Sequence, residues 1–341
     1  MGSQHIEKCS QSEDKDDTKA KGKMQHLFRV RECALEDFAA SSSNNMLHFV
    51  GNFPKENKKK ANKEKEAAGG CGTPPPLYAK LLKDKWTRMY VLHDEKKNFQ
   101  GTGTISVEPK LIHECGSVGH LLNVKAKSSK IWPNVAQALL PTLLSRAKEM
   151  GCYKCLFDCE KSQQKTLEAN GFKTKHLQMT ATLTESQQKG CLSVVPGKFQ
   201  TRFIQTGDYD KGFVELLGQL TSVGVITRDK FEQRVADISN RSDQCCVVVE
   251  DLTSNRIVGT ASVLVLAHFP QNIVGHIEDV VVDVKSRGQG LGRIVVEEML
   301  RRAALFGCGS CSLNCSQKNS NFYAKFGFKV EKIGMAYYFD E

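Results

Sequence analysis

The sequence predicts a mixed α/β protein built as two tandem copies of one fold, and three observations carry that prediction. First, one unit recurs without a gap. Gly119-His120 returns as Gly275-His276, and at the same offset Gly103-Thr104 matches Gly259-Thr260, Gly151-Cys152 matches Gly307-Cys308, and Gly171-Phe172-Lys173 matches Gly327-Phe328-Lys329. Matches held at one spacing mark a duplication; a solenoid needs shorter periods and more copies. Second, each copy has room for a full core, because the chain has 341 residues. Third, the second copy reads strand, glycine turn, helix, strand, which requires neighbouring parallel strands, beside hairpin patterns that require antiparallel ones.

In chain order, residues 1–26 are expected to be disordered, and the first copy spans 27–183 with a lysine-rich insert near 52–76. Residues 184–198 form a linker, and the second copy spans 199–341. Within it, 210–220 carries apolar residues near helical spacing. Cys245-Cys246-Val247-Val248-Val249 and Ile257-Val258 read as strands around the turn Thr253-Ser254-Asn255. Residues 276–284 are β-rich. Residues 292–306 are helical, with Ile294, Val295, Met299 and Leu300 on the core side, and Cys311-Ser312-Leu313-Asn314-Cys315 alternates as a strand.

Composition narrows the function classes. Hydrophobic content of 40% and charged content of 25% suit a globular protein. No run approaches the ~18 apolar residues of a membrane span, and the N-terminus lacks the apolar stretch of a signal peptide. Ile6 stands where a myristoylation signal needs Ser or Thr. Thirteen cysteines without a secretory signal fit reduced thiols, so a cytoplasmic protein is expected. The net charge of +10 raises the question of nucleic acid. The densest run, 55–66, offsets six lysines with three glutamates and interleaves no aromatics, which describes a solvated linker rather than a nucleic-acid surface.

The chemical signal is Arg287-Gly288-Gln289-Gly290-Leu291-Gly292-Arg293, between a strand and a helix. Glycines let the backbone turn its N–H groups toward one point, and the helix N-terminus adds positive potential, a combination suited to a pyrophosphate. The spacing is neither the dinucleotide fingerprint nor a Walker loop. Cys308-x-x-Cys311-x-x-x-Cys315 superficially suggests a metal site, but one strand cannot converge thiolates on an ion, so no metal is expected. Strand alternation sends Glu278 and Asp279 to opposite faces. Phe322 and Phe326 share one helix face, and Tyr323 is rotated away from it.

Arg-x-x-Gly-x-Gly in this setting, with a tyrosine late in the domain, resembles the acetyl-CoA motif of the GCN5-related N-acetyltransferase (GNAT) superfamily. The second copy is more closely similar to the eukaryotic glucosamine 6-phosphate N-acetyltransferases. That similarity lies in Gly218-Gln219-Leu220-Thr221-Ser222-Val223-Gly224, in Gly275-His276-Ile277-Glu278-Asp279-Val280-Val281-Val282, in the glycine motif, and in Asn319 through Phe328. It implies a GNAT mixed sheet in both copies and transfer of acetyl from acetyl-CoA to the amine of glucosamine 6-phosphate, feeding UDP-N-acetylglucosamine synthesis. It further implies that Val280, Val281 and Val282 offer backbone to pantetheine and that Arg287, Gly288, Gln289, Gly290, Leu291, Gly292 and Arg293 hold the pyrophosphate. Asn314 stands where the family has an Asp and retains hydrogen-bonding capacity toward CoA. Thr221, Glu278 and Asp279 are implied at the sugar site, with Tyr323 beside the sulfur to protonate the leaving thiolate and Glu278 as a base acting through water. The alternatives are an acetyl-CoA-binding sensor and acetylation of another amine or of a protein.

The first copy has lost part of this set. The glycine motif becomes Ile131-Trp132-Pro133-Asn134-Val135-Ala136, Glu278-Asp279 becomes Leu122-Asn123, and Tyr323 becomes Leu167. Pro133 has no N–H, and no glycine brings the backbone close to a phosphate. The first copy nevertheless keeps the family's Tyr153-Lys154 and the loop Glu108-Pro109-Lys110-Leu111-Ile112-His113. In the second copy these positions are Gly309-Ser310 and Leu264-Val265-Leu266-Ala267-His268-Phe269. The family's late arginine is absent from both, with Thr182 and Tyr338 in its place. Members of the family are homodimers whose sugar-phosphate site draws on both subunits. The resemblance thus implies either an internal pseudo-dimer, in which Tyr153 and Lys154 contact the phosphate, or a homodimer.

Overall fold

The computed structural model describes residues 28–34, 83–184, 197–268 and 272–339. The N-terminal stretch 1–26, the insert at 52–76 and nearly all of the linker 184–198 lie outside the described residues. The first repeat forms β1 (Phe28–Glu32), β2 (Thr87–Asp94), β3 (Phe99–Pro109), β4 (Ser117–Ala126), α1 (Trp132–Glu149), β5 (Cys152–Cys159), α2 (Gln164–Ala169) and β6 (Lys173–Thr182). The second forms β7 (Phe199–Phe203), α3 (Phe213–Leu217), α4 (Arg228–Ser239), β8 (Gln244–Asp251), β9 (Arg256–His268), β10 (Asn272–Val282), α5 (Leu291–Leu305), β11 (Ser310–Cys315), α6 (Gln317–Ala324) and β12 (Lys329–Tyr338). Among the described residues, no helix is long and apolar enough to cross a membrane.

The hairpin reading holds: β8 and β9 pair antiparallel, and Asn255 takes the left-handed conformation its turn needs. The parallel pair also forms, between β10 and β11. The helical pattern at 210–220 yields only the short α3, because Gly212, at φ 81°, interrupts it at the N-terminal end. The sequence reading did not foresee α4, whose N-cap Thr227 accepts the Lys230 N–H.

The chain packs as two compact units. In the smaller one, β1 pairs antiparallel with β2, and α1 rests on β3 at Gly101 and Gly103. A Cβ at Gly101 would meet Val135 at 2.7 Å, and one at Gly103 would meet Leu143 at 2.8 Å. Val91, Leu92, Val135, Leu139 and Leu140 of this unit are fully buried.

The larger unit (84–87, 105–123 and 144 onward) has the strand order β3-β4-β5-β12-β6-β11-β10-β9-β8-β7. In this order the last strand of each repeat sits beside the other repeat. The first repeat's β6 pairs antiparallel with β11 (Ser310↔Thr182 through Cys315↔Leu177), and the second repeat's β12 pairs antiparallel with β5 (Lys154↔Tyr338 through Cys159↔Ile333). These two registers match residue for residue at the repeat offset, so the exchange is reciprocal about a pseudo-twofold axis. The glycine of the repeated Gly-His pair follows from packing. A Cβ at Gly275 would come within 2.5 Å of Ala303 on α5, so only glycine lets that helix lie on β10. Cys311, Leu313 and Cys315 face the apolar core beneath α5, as strand alternation predicts. Burial there pushes the Cys308 thiol up to about 11, and Cys315 Sγ contacts Met179 Sδ at 3.5 Å.

Candidate active site

Strand β10 begins as a paired strand and ends as one wall of an opening. Its parallel pairing with β11 runs from Val274 to Ile277 and stops there. On the β9 side the register slips between Glu278 and Val281, a bulge in which Asp279 takes φ 53°. Beyond the bulge, Val280, Val281 and Val282 line a cavity of about 580 Å³. The first turn of α5 forms another wall, and Phe322 and Tyr323 of α6 close the cavity.

The glycine motif behaves as its residue types predict. Gly288 and Gly290 sit at φ 80° and 81°, and a Cβ on either would project into open space, so both present bare backbone to the cavity. Gly290 is the N-cap of α5, whose first N–H groups have no intrahelical acceptor. Arg287 and Arg293 also line the cavity, with Arg293 paired to Glu297 at 2.7 Å. Bare backbone donors, a helix N-terminus and two cations fit a pyrophosphate, and the valine wall fits an extended pantetheine arm. Gln289 and Asn314 are not among the residues that line this space. Asn314 lies beside the buried carboxyl of Asp158, its counterpart in the first repeat.

Tyr323 is 9% exposed and packs edge-on against Phe322 and Phe328. Burial, with the charge of Glu278 as a smaller contribution, pushes its hydroxyl up to about 12, so it is protonated at neutral pH.

The acidic pair departs from the alternation expected of a strand. The positive φ of Asp279 swings its side chain round, so that both carboxylates converge on one cation instead of facing opposite sides. Lys110 Nζ lies 3.1 Å from Glu278 Oε2 and 3.1 Å from Asp279 Oδ2, and 2.9 Å from Glu108 Oε1. The other oxygen of Glu108 meets His120 Nε2 at 2.8 Å, and Glu278 Oε1 meets His276 Nε2 at 2.8 Å. Burial alone would raise both glutamates, but the Lys110 charge and the histidine hydrogen bonds overcome it. Glu108 is held below its ordinary range and Glu278 well below. Asp279 goes the other way, because burial and the neighbouring Glu278 charge outweigh Lys110. The same carboxylates keep the buried Lys110 well above an ordinary lysine.

Tyr153 and Lys154 lie at the β5 end of this region, and His113 stacks on Tyr153 with ring centres 4.3 Å apart. The Tyr153 hydroxyl is buried with no hydrogen-bond partner, and burial lowers Lys154. Thr221 follows α3 and does not line the cavity, but its loop is tied to the loop after β3 through Glu114 N–H to Val223 O at 2.7 Å. Sequence reasoning missed Lys110, Glu108, His120 and His276. The available signal was that the first repeat keeps Glu108 and Lys110 where the second has Leu264 and Leu266.

A glycine-cradled helix N-terminus beside a bulged, splayed strand, with a buried protonated tyrosine at its end, defines a GNAT-type, acetyl-CoA-dependent N-acetyltransferase. The acetyltransferase (GNAT) family profile matches residues 215–328. Glucosamine 6-phosphate N-acetyltransferase of Arabidopsis thaliana is 41% identical over 145 residues, covering 42% of this chain and 97% of its own length. Glucosamine 6-phosphate N-acetyltransferase 1 of Oryza sativa subsp. japonica is 35% identical over 144 residues, covering 41% of this chain and 87% of its own. The crystal structure of the Arabidopsis enzyme aligns over 42% of this chain and 99% of that one, with 41% identity and a TM-score of 0.41. The chain belongs to the glucosamine 6-phosphate N-acetyltransferase family.

Proposed function

We infer that the protein transfers the acetyl group of acetyl-CoA to the amine of glucosamine 6-phosphate, giving N-acetylglucosamine 6-phosphate. The observation that carries this reading is the continuity along one strand: β10 offers the cavity-lining valines and, one step earlier, the converged Glu278–Asp279 pair. Acetyl-CoA supplies an activated acyl group; the chain's residues bind, orient and move protons. The α5 N-terminus and Arg287 take the pyrophosphate, and Val280 to Val282 take the pantetheine. Tyr323 donates its proton toward the departing thiolate, a role that its high pKa suits. Glu278 and Asp279 draw in the substrate ammonium. Both oxygens of Glu278 are already engaged and its basicity is low, so Asp279 is the stronger base of the pair.

Tyr153, Lys154 and His113 form the phosphate end: a cation and an unpartnered hydroxyl await an anion. Because these come from the first repeat, the chain acts as its own pseudo-dimer, with one working site. Nine buried cysteines, from Cys115 to Cys315, are free thiols, which suits a reducing compartment such as the cytosol. The test is purified protein with acetyl-CoA and a panel of amines, followed by thiol release. Turnover restricted to amino-sugar phosphates is expected. Acetyl-CoA binding without turnover of any amine would assign the protein as a sensor instead.

A further inference from the structure

Around the pseudo-twofold axis, three positions in one repeat have three counterparts in the other. On one side they are Glu108, Lys110 and Glu278, joined by the Lys110 contacts at 2.9 and 3.1 Å. On the other side the same positions hold Leu264, Leu266 and Leu122, which form an apolar cluster of their own, 0%, 3% and 9% exposed. One half of the axis has become ionic and the other hydrocarbon. Within the ionic half the exposure is graded: Glu108 is fully buried, Lys110 is 2% exposed, and Glu278 and Asp279 are 18% and 16% exposed. The lysine therefore lies behind the two site carboxylates, held from the rear by Glu108, which His120 in turn holds. Its backbone is fixed too, since its N–H donates to Gly116 O at 3.0 Å.

We propose that Lys110, carried by the repeat that has lost its acetyl-CoA cradle, is a positioning residue for the other repeat's reaction: it holds Glu278 and Asp279 together, charged and facing the substrate amine. This rests on the functional reading above. Two carboxylates converged by a bulge repel each other, and without the cation between them one takes up a proton or turns away. The leucine cluster shows that the fold packs these positions without ions, so their persistence on one side serves the site. The groups facing Lys110 are Glu108 from β3, Glu278 and Asp279 from β10, and, further off, Tyr153 from β5. Lys154 of β5 and the His120 and His276 rings act on the carboxylates themselves.

The test compares wild type with Lys110→Met and with Glu108→Leu/Lys110→Leu, which installs the second repeat's own residues and leaves no unpaired Glu108. The expected result is at least a tenfold rise in KM for glucosamine 6-phosphate and an acid limb of kcat/KM moved up by a pH unit or more, with acetyl-CoA binding unchanged. Leu266→Met, on the apolar side, leaves the pH profile in place. Wild-type kinetics and pH profile in a folded variant would overturn the proposal. Failure of both variants to fold would also overturn it, assigning Lys110 to the fold. Absence of turnover by wild type in the same assay would instead remove the functional reading.

Discussion

In the function proposed above, two side chains separate the acid chemistry from the binding. Tyr323 is buried, protonated and aromatic-packed, so removing its hydroxyl deletes a donor while leaving the packing intact. Tyr323→Phe is expected to lower kcat about 10²-fold with acetyl-CoA affinity unchanged, as measured by single-turnover rates beside equilibrium binding. Lys154 is the group proposed to bind the sugar phosphate. Lys154→Ala should raise KM for the sugar phosphate roughly tenfold to a hundredfold, the effect of losing a charged hydrogen bond. Its pH dependence has a definite sign. Burial lowers its pKa, so the ammonium is charged at low pH and is lost earlier than an ordinary lysine's as pH rises. Sugar-phosphate KM should climb on that alkaline limb, and the climb should vanish in Lys154→Ala.

At the level of elements, the site is made by two backbone events: the bulge in β10 and the left-handed N-cap of α5. Gly290→Ala strains the cap by about 1–2 kcal/mol and puts a methyl group into the cavity proposed for the pyrophosphate. It is expected to raise KM for acetyl-CoA far more than KM for the sugar phosphate. The glycine motif was legible in the sequence because glycine types report conformation directly. The bulge was not, because an aspartate at positive φ has no distinctive residue type, and plain alternation set Glu278 and Asp279 apart. Lys110 was hidden for a different reason. It reaches Glu278 across 168 residues of chain, and the repeat alignment pairs equivalent positions rather than touching ones.

For the molecule as a whole, the duplication was plain in the sequence but the exchange of β6 and β12 was not, since a repeat offset carries no information about strand partners. Residues 199–341 alone would leave β11 without β6, and β12 without β5 or β6. That fragment is expected not to give an active monomer, as judged by light scattering and acetyl transfer. The asymmetric axis gives a second expectation. Leu122→Glu buries a carboxylate among Leu264 and Leu266 and should cost about 3–5 kcal/mol in denaturant unfolding. Adding Leu264→Glu and Leu266→Lys should restore most of that loss without creating a second active site, because Trp132 and Pro133 stand where the cradle would be.

The reciprocal strands also decide how the two halves vary. In a dimer of identical chains, every substitution is made twice, so a leucine that improves one side of the axis spoils the other. Joined in one chain, the halves mutate independently, and one can lose the glycine motif while its Lys110 still pairs with Glu278 of the other. Tolerance to substitution should therefore be lopsided: in a saturation library selected for activity, the uncovered positions 131, 133 and 134 accept most residues while the buried Trp132, Val135 and Ala136 stay apolar, and 287–293 accept few.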